Sequence, residues 1–218
     1  MIREFSSADV LFIVMAVRWT LLLSVIAFVG GAIGGLIIAL ARTSDNIWLR
    51  GISASFIRLF QGTPLLMQLF LVYFGLAVMG FPINPLIAAA IALTLHASAY
   101  LGEIWRGSID AVPSGQSEAS FALSLSYFNR MRYVVLPQAM RLSVAPTVGF
   151  LVQLIKGTSL ASIIGFAELT RAGQIVNNAT FQPFLVFGIV AALYFILCWP
   201  LSILSRRLEA RMRLAITR

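Results

Sequence analysis

The chain has 218 residues, of which 60% are hydrophobic and only 11% charged, with a mean hydropathy of +0.93. So little polar surface cannot cover a soluble globule of this size, and a bilayer is the better solvent. The net charge of +8 does not mark a nucleic-acid binder, because the arginines flank long apolar runs instead of forming one stripe.

A spanning helix needs about 20 mostly apolar residues, and five stretches qualify. The first, 15–41, contains Gly30, Gly31, Gly34 and Gly35, overlapping small-residue repeats that let helices approach closely. It is too long for a cleaved signal peptide, has Glu4 and Asp9 ahead of it, and no small-residue cleavage site follows. No charge occurs from Leu59 to Gly102, long enough for two spans, 55–79 and 85–106, with the turn at Gly80 to Pro85. Gly62, Thr63 and Pro64 predict a kink in the second span whose freed backbone groups line a cavity. The fourth and fifth spans cover 142–165 and 183–205. Cys198 is alone, so it forms no intrachain disulfide.

Arginines in short loops stay on the cytoplasmic side. With the N-terminus outside, the inside segments hold Arg42, Arg50, Arg58, Arg106, Arg130, Arg132, Arg141, Arg206, Arg207, Arg211, Arg213 and Arg218, against Arg3, Arg18 and Arg171 outside. Five spans then place the N-terminus in the periplasm and the C-terminus in the cytoplasm.

The longest inside connection, 107–141, is organised. Pro113, Ser114 and Gly115 start a helix with Glu118 in its first turn, Ser124 to Ser126 breaks it, and a second short helix, Tyr127 to Leu136, is expected to end at Pro137. The pair would lie parallel to the membrane. On pattern alone, a plain interfacial connector between two spans is the better explanation.

The wording of this segment, "SEASFALSLSYFNRMRYVVLPQAMR", resembles the EAA loop of permease subunits of bacterial ATP-binding cassette importers. Glu118, Ala119 and Ser120 stand for Glu-Ala-Ala, Ser124 for the following Gly, and Leu136 and Pro137 for the closing Leu-Pro, with Gly115 just upstream. The likeness extends over most of the chain to the permeases for polar amino acids, through "TLLLSVIAFVGGAIGGLIIALAR", "FIRLFQGTPLLMQLFLVYFGL", "SAYLGEIWRGSIDAVPSGQ" and "LIKGTSLASIIGFAELT". Gln61 stands where Arg is commoner, and Gly157 replaces a usual Asp.

The resemblance implies an all-α membrane protein of the type I importer architecture, a single transmembrane domain over 1–218 in the bacterial inner membrane. Its expected partners are two ATP-binding subunits, a second permease, identical or homologous, and a periplasmic solute-binding protein that delivers a polar amino acid. Glu118 would dock on an ATPase and pair with a basic residue there. No cofactor is expected in this chain; ATP and Mg belong to the ATPase. The chain has no P-loop and its only lysine, Lys156, lies inside a span, so it is not itself an enzyme.

Lys156 lies 15 residues beyond Arg141, about 22 Å along a helix, too deep to reach inner water. A charge there lines a polar cavity or snorkels outward, and the resemblance favours a pathway that Gln61, Thr63, Tyr100, Thr158 and Ser159 would share. His96 is assigned to packing. Glu103 and Arg106, three apart, are expected to pair and hold the loop to its span. Glu168, Arg171, Gln174, Asn177 and Asn178 make the last outside loop polar, through solvation or as a docking surface for the binding protein. A secondary transporter would need mid-membrane carboxylates, which Glu103, Asp110 and Glu118 do not supply; a structural anchor would not need the ordered loop.

Overall fold

The computed structural model describes residues 3–216. Arg218, and the side chain of Arg213, both counted in the charge bias above, lie outside what is described. Every regular element among the described residues is helical. Four helical stretches are long and apolar enough to span a bilayer, and a sharply bent pair makes a fifth if it counts as one span.

α1 (Ser7–Arg42) begins at a capping box, in which the Ser6 backbone N–H and hydroxyl both donate to Asp9 at 2.9 Å. Arg3 pairs with Asp9, and its backbone N–H donates to the carbonyl of Ala179 at 3.0 Å. α5 (Pro85–Asp110) starts where the Asn84 side chain accepts from the Ile87 N–H, with Pro85 pre-set for the first turn. The turn before it uses Gly80 at φ 88°, a backbone state open mainly to glycine.

α1 and α5 form the centre of the bundle, and the glycine stripe explains how. A Cβ at Gly31 would lie 2.4 Å from the Ala97 Cβ, and one at Gly34 would lie 2.3 Å from the Ser98 hydroxyl. Gly102 returns the favour from α5, where a Cβ would meet Ile38 at 2.6 Å. The helices approach closely because each glycine faces a side chain or backbone of the other helix across the crossing. Leu23, Ala27, Leu93, Ala97, Phe150 and Leu154 are buried around this seam.

The second apolar stretch is not a straight helix over 55–79. α2 (Ile47–Gln61) stops at Gly62, and Pro64 precedes α3 (Leu65–Phe70), which continues through a π turn (Leu71–Gly75) into α4 (Leu76–Val78). The two halves are bent by 102°. A Cβ at Gly62 would sit 2.6 Å from the Arg58 carbonyl oxygen, so the stop depends on glycine. The sequence showed a kink; a near right angle needs tertiary contacts that residue types do not reveal.

The connection after α5 also differs from expectation. α6 (Ser114–Ala122) carries Glu118 one turn in from its start, not in the first turn. α7 (Tyr127–Arg130) does not end at Pro137: it passes through a π turn (Met131–Val135) directly into α8 (Leu136–Gly157). The Leu136 N–H reaches the Met131 carbonyl, one residue further back than in an α-helix, and Pro137 falls on the first turn of the renewed helix. The π turn absorbs the missing donor locally, and the helix runs unbroken from Tyr127 to Ser162.

A short 3₁₀ turn (Thr158–Ser162) leads to α9 (Leu169–Thr180) and α10 (Pro183–Ile216). α9 lays Leu169 and Val176 against Ile13 of α1 and Val186 and Val190 of α10. α10 is tied to α8 where the Ser205 hydroxyl donates to the Ala145 carbonyl at 2.9 Å.

Candidate functional site

The end of α6 has the Schellman form. The Leu125 N–H donates to the Ser120 carbonyl at 3.1 Å and Ser124 takes φ 54°. A left-handed residue is required there, a backbone state that favours glycine, so Ser124 is strained. Ser120 is buried, with its hydroxyl bonded to the Gln116 carbonyl at 2.6 Å. Glu118 and Ala119 face outward, Gly115 has open space around it, and Leu136 and Pro137 are half-buried. Around Glu118 the surface is unusually apolar: Phe121 and Leu123 are 75% exposed, with Phe128 and Tyr133 close behind. An exposed carboxylate beside exposed aromatic rings is the chemistry of a docking surface. The aromatic part was not assigned from sequence, although alternation of rings with Asn129, Arg130 and Arg132 was the available signal.

Arg106 pairs with both Glu103 and Asp110, its Nε donating to Glu103 at 2.9 Å. This cluster sits at the C-terminal end of α5, where it fixes the approach to α6. Trp105, next to it, donates from Nε1 to the Thr147 hydroxyl at 2.9 Å and so fastens α5 to α8.

A second polar cluster lies at the break in the bent pair. Gln68, 7% exposed, donates from Nε2 to the Phe60 carbonyl at 2.7 Å and to the carbonyl and hydroxyl of Thr63 at 3.1 and 3.0 Å. It therefore satisfies the backbone groups that the break would orphan. Its carbonyl oxygen accepts from His96 Nδ1 at 3.1 Å. The His96 ring lies tilted against Tyr100 and Tyr100 stacks on Phe150 of α8, with centroids 4.5 and 5.4 Å apart. Gln68 is the residue that sequence reading missed; one amide in an apolar run has no marker until the break beside it is known. Gln61 and Thr63 are exposed at the same corner.

Lys156 is exposed in the last turn of α8, one turn beyond exposed Gln153. Neither faces α5, which receives Phe150 and Leu154, nor α10, which receives Val152 and Ile155. Ser159 is half-buried and bonds to the Lys156 carbonyl at 2.7 Å. Thr158 lies elsewhere: it is fully buried, its hydroxyl donating to the Ile155 carbonyl at 2.7 Å, so it lines no open surface of this chain. Gly157 occupies an apolar niche, where a Cβ would meet Leu65 at 3.1 Å and Leu93 at 4.0 Å. A carboxylate in place of that glycine would be pressed among leucines.

Glu168 is not a solvated loop residue. It is fully buried and caps α9, accepting the backbone N–H of Thr170 and Arg171 at 2.9 Å each and the Tyr194 hydroxyl at 2.7 Å. Burial raises its carboxyl above the ordinary glutamate range, with those donors pulling the other way. Arg171 bonds to Gln174 at 3.2 Å.

Comparison with known proteins places these features in a family. Residues 31–214 match the family described as the binding-protein-dependent transport system inner membrane component. Among curated relatives, the glutamine transport system permease protein GlnP of Escherichia coli (strain K12) is 37% identical, the match covering 90% of this chain and 91% of GlnP. The L-cystine transport system permease protein TcyB of Bacillus subtilis (strain 168) is 38% identical, over 90% of this chain and 84% of TcyB. Among solved structures, a chain from the crystal structure of an amino acid ABC transporter with histidines superposes with a TM-score of 0.87 at 36% identity, covering 92% of this chain and 94% of that one. A helical bundle built on a glycine seam, an exposed Glu-Ala loop and near full-length similarity to permeases agree, and the chain belongs to the family of inner membrane components of binding-protein-dependent transport systems.

Proposed function

We propose that this chain is the membrane-spanning subunit of an ATP-driven importer for a polar amino acid, with five spans, its N-terminus in the periplasm and its C-terminus in the cytoplasm. It works beside a second permease, identical or homologous, above two ATP-binding subunits that hold ATP and Mg, and takes substrate from a periplasmic binding protein. The substrate class rests on the glutamine, cystine and amino-acid transporters it resembles. One observation carries the coupling: the exposed surface around Glu118, Phe121 and Phe128 joins a single helical stretch, Tyr127 to Ser162, that carries Lys156 near its far end.

Lys156 and Gln153 support a pathway at the face of α8 left uncovered by α5 and α10. An ammonium turned toward lipid is costly, up to about 2.5–3.5 kcal/mol at a helix centre on insertion scales and less toward a helix end, where Lys156 sits. Coverage by the second permease, around a wet cavity, removes that cost. In this role Lys156 receives the substrate carboxylate, Ser159 adds a hydroxyl, and Gln61, Thr63 and Tyr100 line the approach.

The test is reconstitution of the complete importer in vesicles with its loaded binding protein. Uptake should require ATP, and the loaded binding protein should stimulate hydrolysis; uptake without ATP would replace this reading with secondary transport. Lys156→Met should assemble normally yet lower uptake by about tenfold or more, the scale of one lost charge-assisted hydrogen bond. Undiminished uptake at matched amounts of complex would remove Lys156 from the pathway, and failure to assemble would make it an interhelical contact.

A further inference from the structure

Where the α1–α2 link, the end of α5 and the start of α7 meet, they enclose an open cavity of about 430 Å³. Arg42, Arg50 and Arg130 line it, together with Thr43, Ser44 and Tyr127. The Nε atoms of Arg42 and Arg130 are buried and have no hydrogen-bond partner. The Arg130 guanidinium lies over the Tyr127 ring, 5.3 Å from its centroid, and the Tyr127 hydroxyl reaches the Thr43 carbonyl at 3.4 Å. Two acids also line the cavity. Asp110 is engaged by Arg106, and Asp45 is exposed. Glu103, paired with Arg106, also lies near enough to Arg42 to feel its charge, so three guanidinium groups face one exposed carboxylate and two that Arg106 already engages.

Buried guanidinium N–H groups without acceptors are matched by an oxyanion, and the planar fork of arginine suits phosphate. The surroundings identify the carrier. Directly beside Arg50, α2 presents Ile47, Trp48, Gly51, Ile52 and Ser55 along one open, largely apolar helix face. Trp48 is 77% exposed and Ile47 and Ile52 are each 69% exposed. A basic pocket that shares α2 with an exposed apolar face carrying a tryptophan matches a charged headgroup with its acyl chain alongside.

We infer that Arg42, Arg50 and Arg130 form a binding site for the phosphate of an anionic phospholipid, whose acyl chain lies along the Ile47–Ile52 face of α2. The bound headgroup bridges the α1–α2 link and the α7 end of the connection that carries Glu118. The site rests on the transport reading only for which leaflet supplies the lipid, and nanodiscs with the same lipids on both faces remove that dependence.

The experiment uses the assembled importer in nanodiscs of phosphatidylcholine containing a photoactivatable phosphatidylglycerol, with labelled peptides of this chain identified by mass spectrometry. Peptides spanning Arg42 to Ile52 should label saturably. Labelling should be displaced by unlabelled phosphatidylglycerol, but not by phosphatidylcholine or millimolar inorganic phosphate. In Arg42→Gln/Arg130→Gln it should fall about tenfold or more, while Arg207→Gln, on α10, keeps it. If the double variant fails to assemble as a folded chain, Arg50→Gln, at an exposed residue, carries the same test with a smaller drop. Unchanged labelling in the pocket variants overturns the proposal. Displacement by inorganic phosphate with no preference for phosphatidylglycerol assigns the pocket to a free anion and overturns the lipid. Loss of the ATP-binding subunits from an otherwise folded double variant makes the pocket a protein contact and overturns it equally.

Discussion

Glu118→Arg should insert and fold normally yet abolish ATP-dependent uptake in the reconstituted importer. Glu118 is exposed on α6 and makes no packing contribution that the bilayer-embedded helices need, so the substitution acts at the proposed docking surface. Opposite charge at an interface gives orientation and attraction, and reversal places like charges together at a cost of several kcal/mol. A loss of 2 kcal/mol already means about 30-fold in association. Copurification of the ATP-binding subunits should fall in step with uptake, with the monodispersity of the permease unchanged. Wild-type uptake with normal stimulation of ATP hydrolysis would remove Glu118 from coupling. Phe121→Ser gives an independent reading of the same surface, because it leaves the charge in place and removes an exposed ring.

The second large effect lies in the seam between α1 and α5. Gly31→Leu should prevent the pair from closing, since its Cβ alone would stand 2.4 Å from the Ala97 Cβ and 3.2 Å from that residue's carbonyl carbon. Neither atom is the tip of a flexible side chain, so relief requires the helices to separate. Overpacking of tight cores costs about 1–3 kcal/mol and more when backbone must move, and this seam is where the central helices meet. Gly188→Ala on α10 is the matched control, because nothing lies within 4 Å of its Cβ and alanine is the better helix former by about 1 kcal/mol. Thermal unfolding followed by size-exclusion chromatography should show Gly31→Leu aggregated or melting far below wild type and Gly188→Ala at or above it. Equal melting of Gly31→Leu and wild type would mean the seam tolerates separation.

Gly30 to Gly35 were legible as a close-packing stripe because four small residues at helical spacing have one common physical use. The turn around Gly80 and Asn84 was legible for a similar reason: only particular residues take its backbone angles or cap the helix after it. Gln68 and Glu168 were not. Each is a single polar residue whose meaning depends on what the fold brings beside it, an opened helix for Gln68 and the Tyr194 hydroxyl and α9 N–H groups for Glu168. Pro137 was misread for a different reason. Proline normally ends a helix by removing a donor, and a π turn that shifts the preceding bond by one residue leaves no trace in residue type. For the same reason, Thr158 looked equivalent to Ser159 in sequence although only one of them reaches a surface.

The π turn before Pro137 has a mechanical consequence. A proline that broke the chain there would have put a hinge between the exposed loop and the membrane, and pushing on one side would have been absorbed at the joint. Instead, Tyr127 to Ser162 is one continuous helical stretch of 36 residues, a rod of about 54 Å at 1.5 Å per residue, with the π turn near one end, Pro146 inside it and a 3₁₀ turn at the other end. Continuity favours transmission: a tilt imposed at the Phe128 end is carried toward the Lys156 end provided the clamps hold the rod straight at Pro146, where Trp105 of α5 bonds Thr147 and Ser205 of α10 bonds Ala145. Spin labels at Asn129 and Gln153 should therefore keep one separation with and without ATP, while each changes its distance to a label on α1. A separation that varies through the cycle would show that the rod bends, and that loop and pathway move as two bodies.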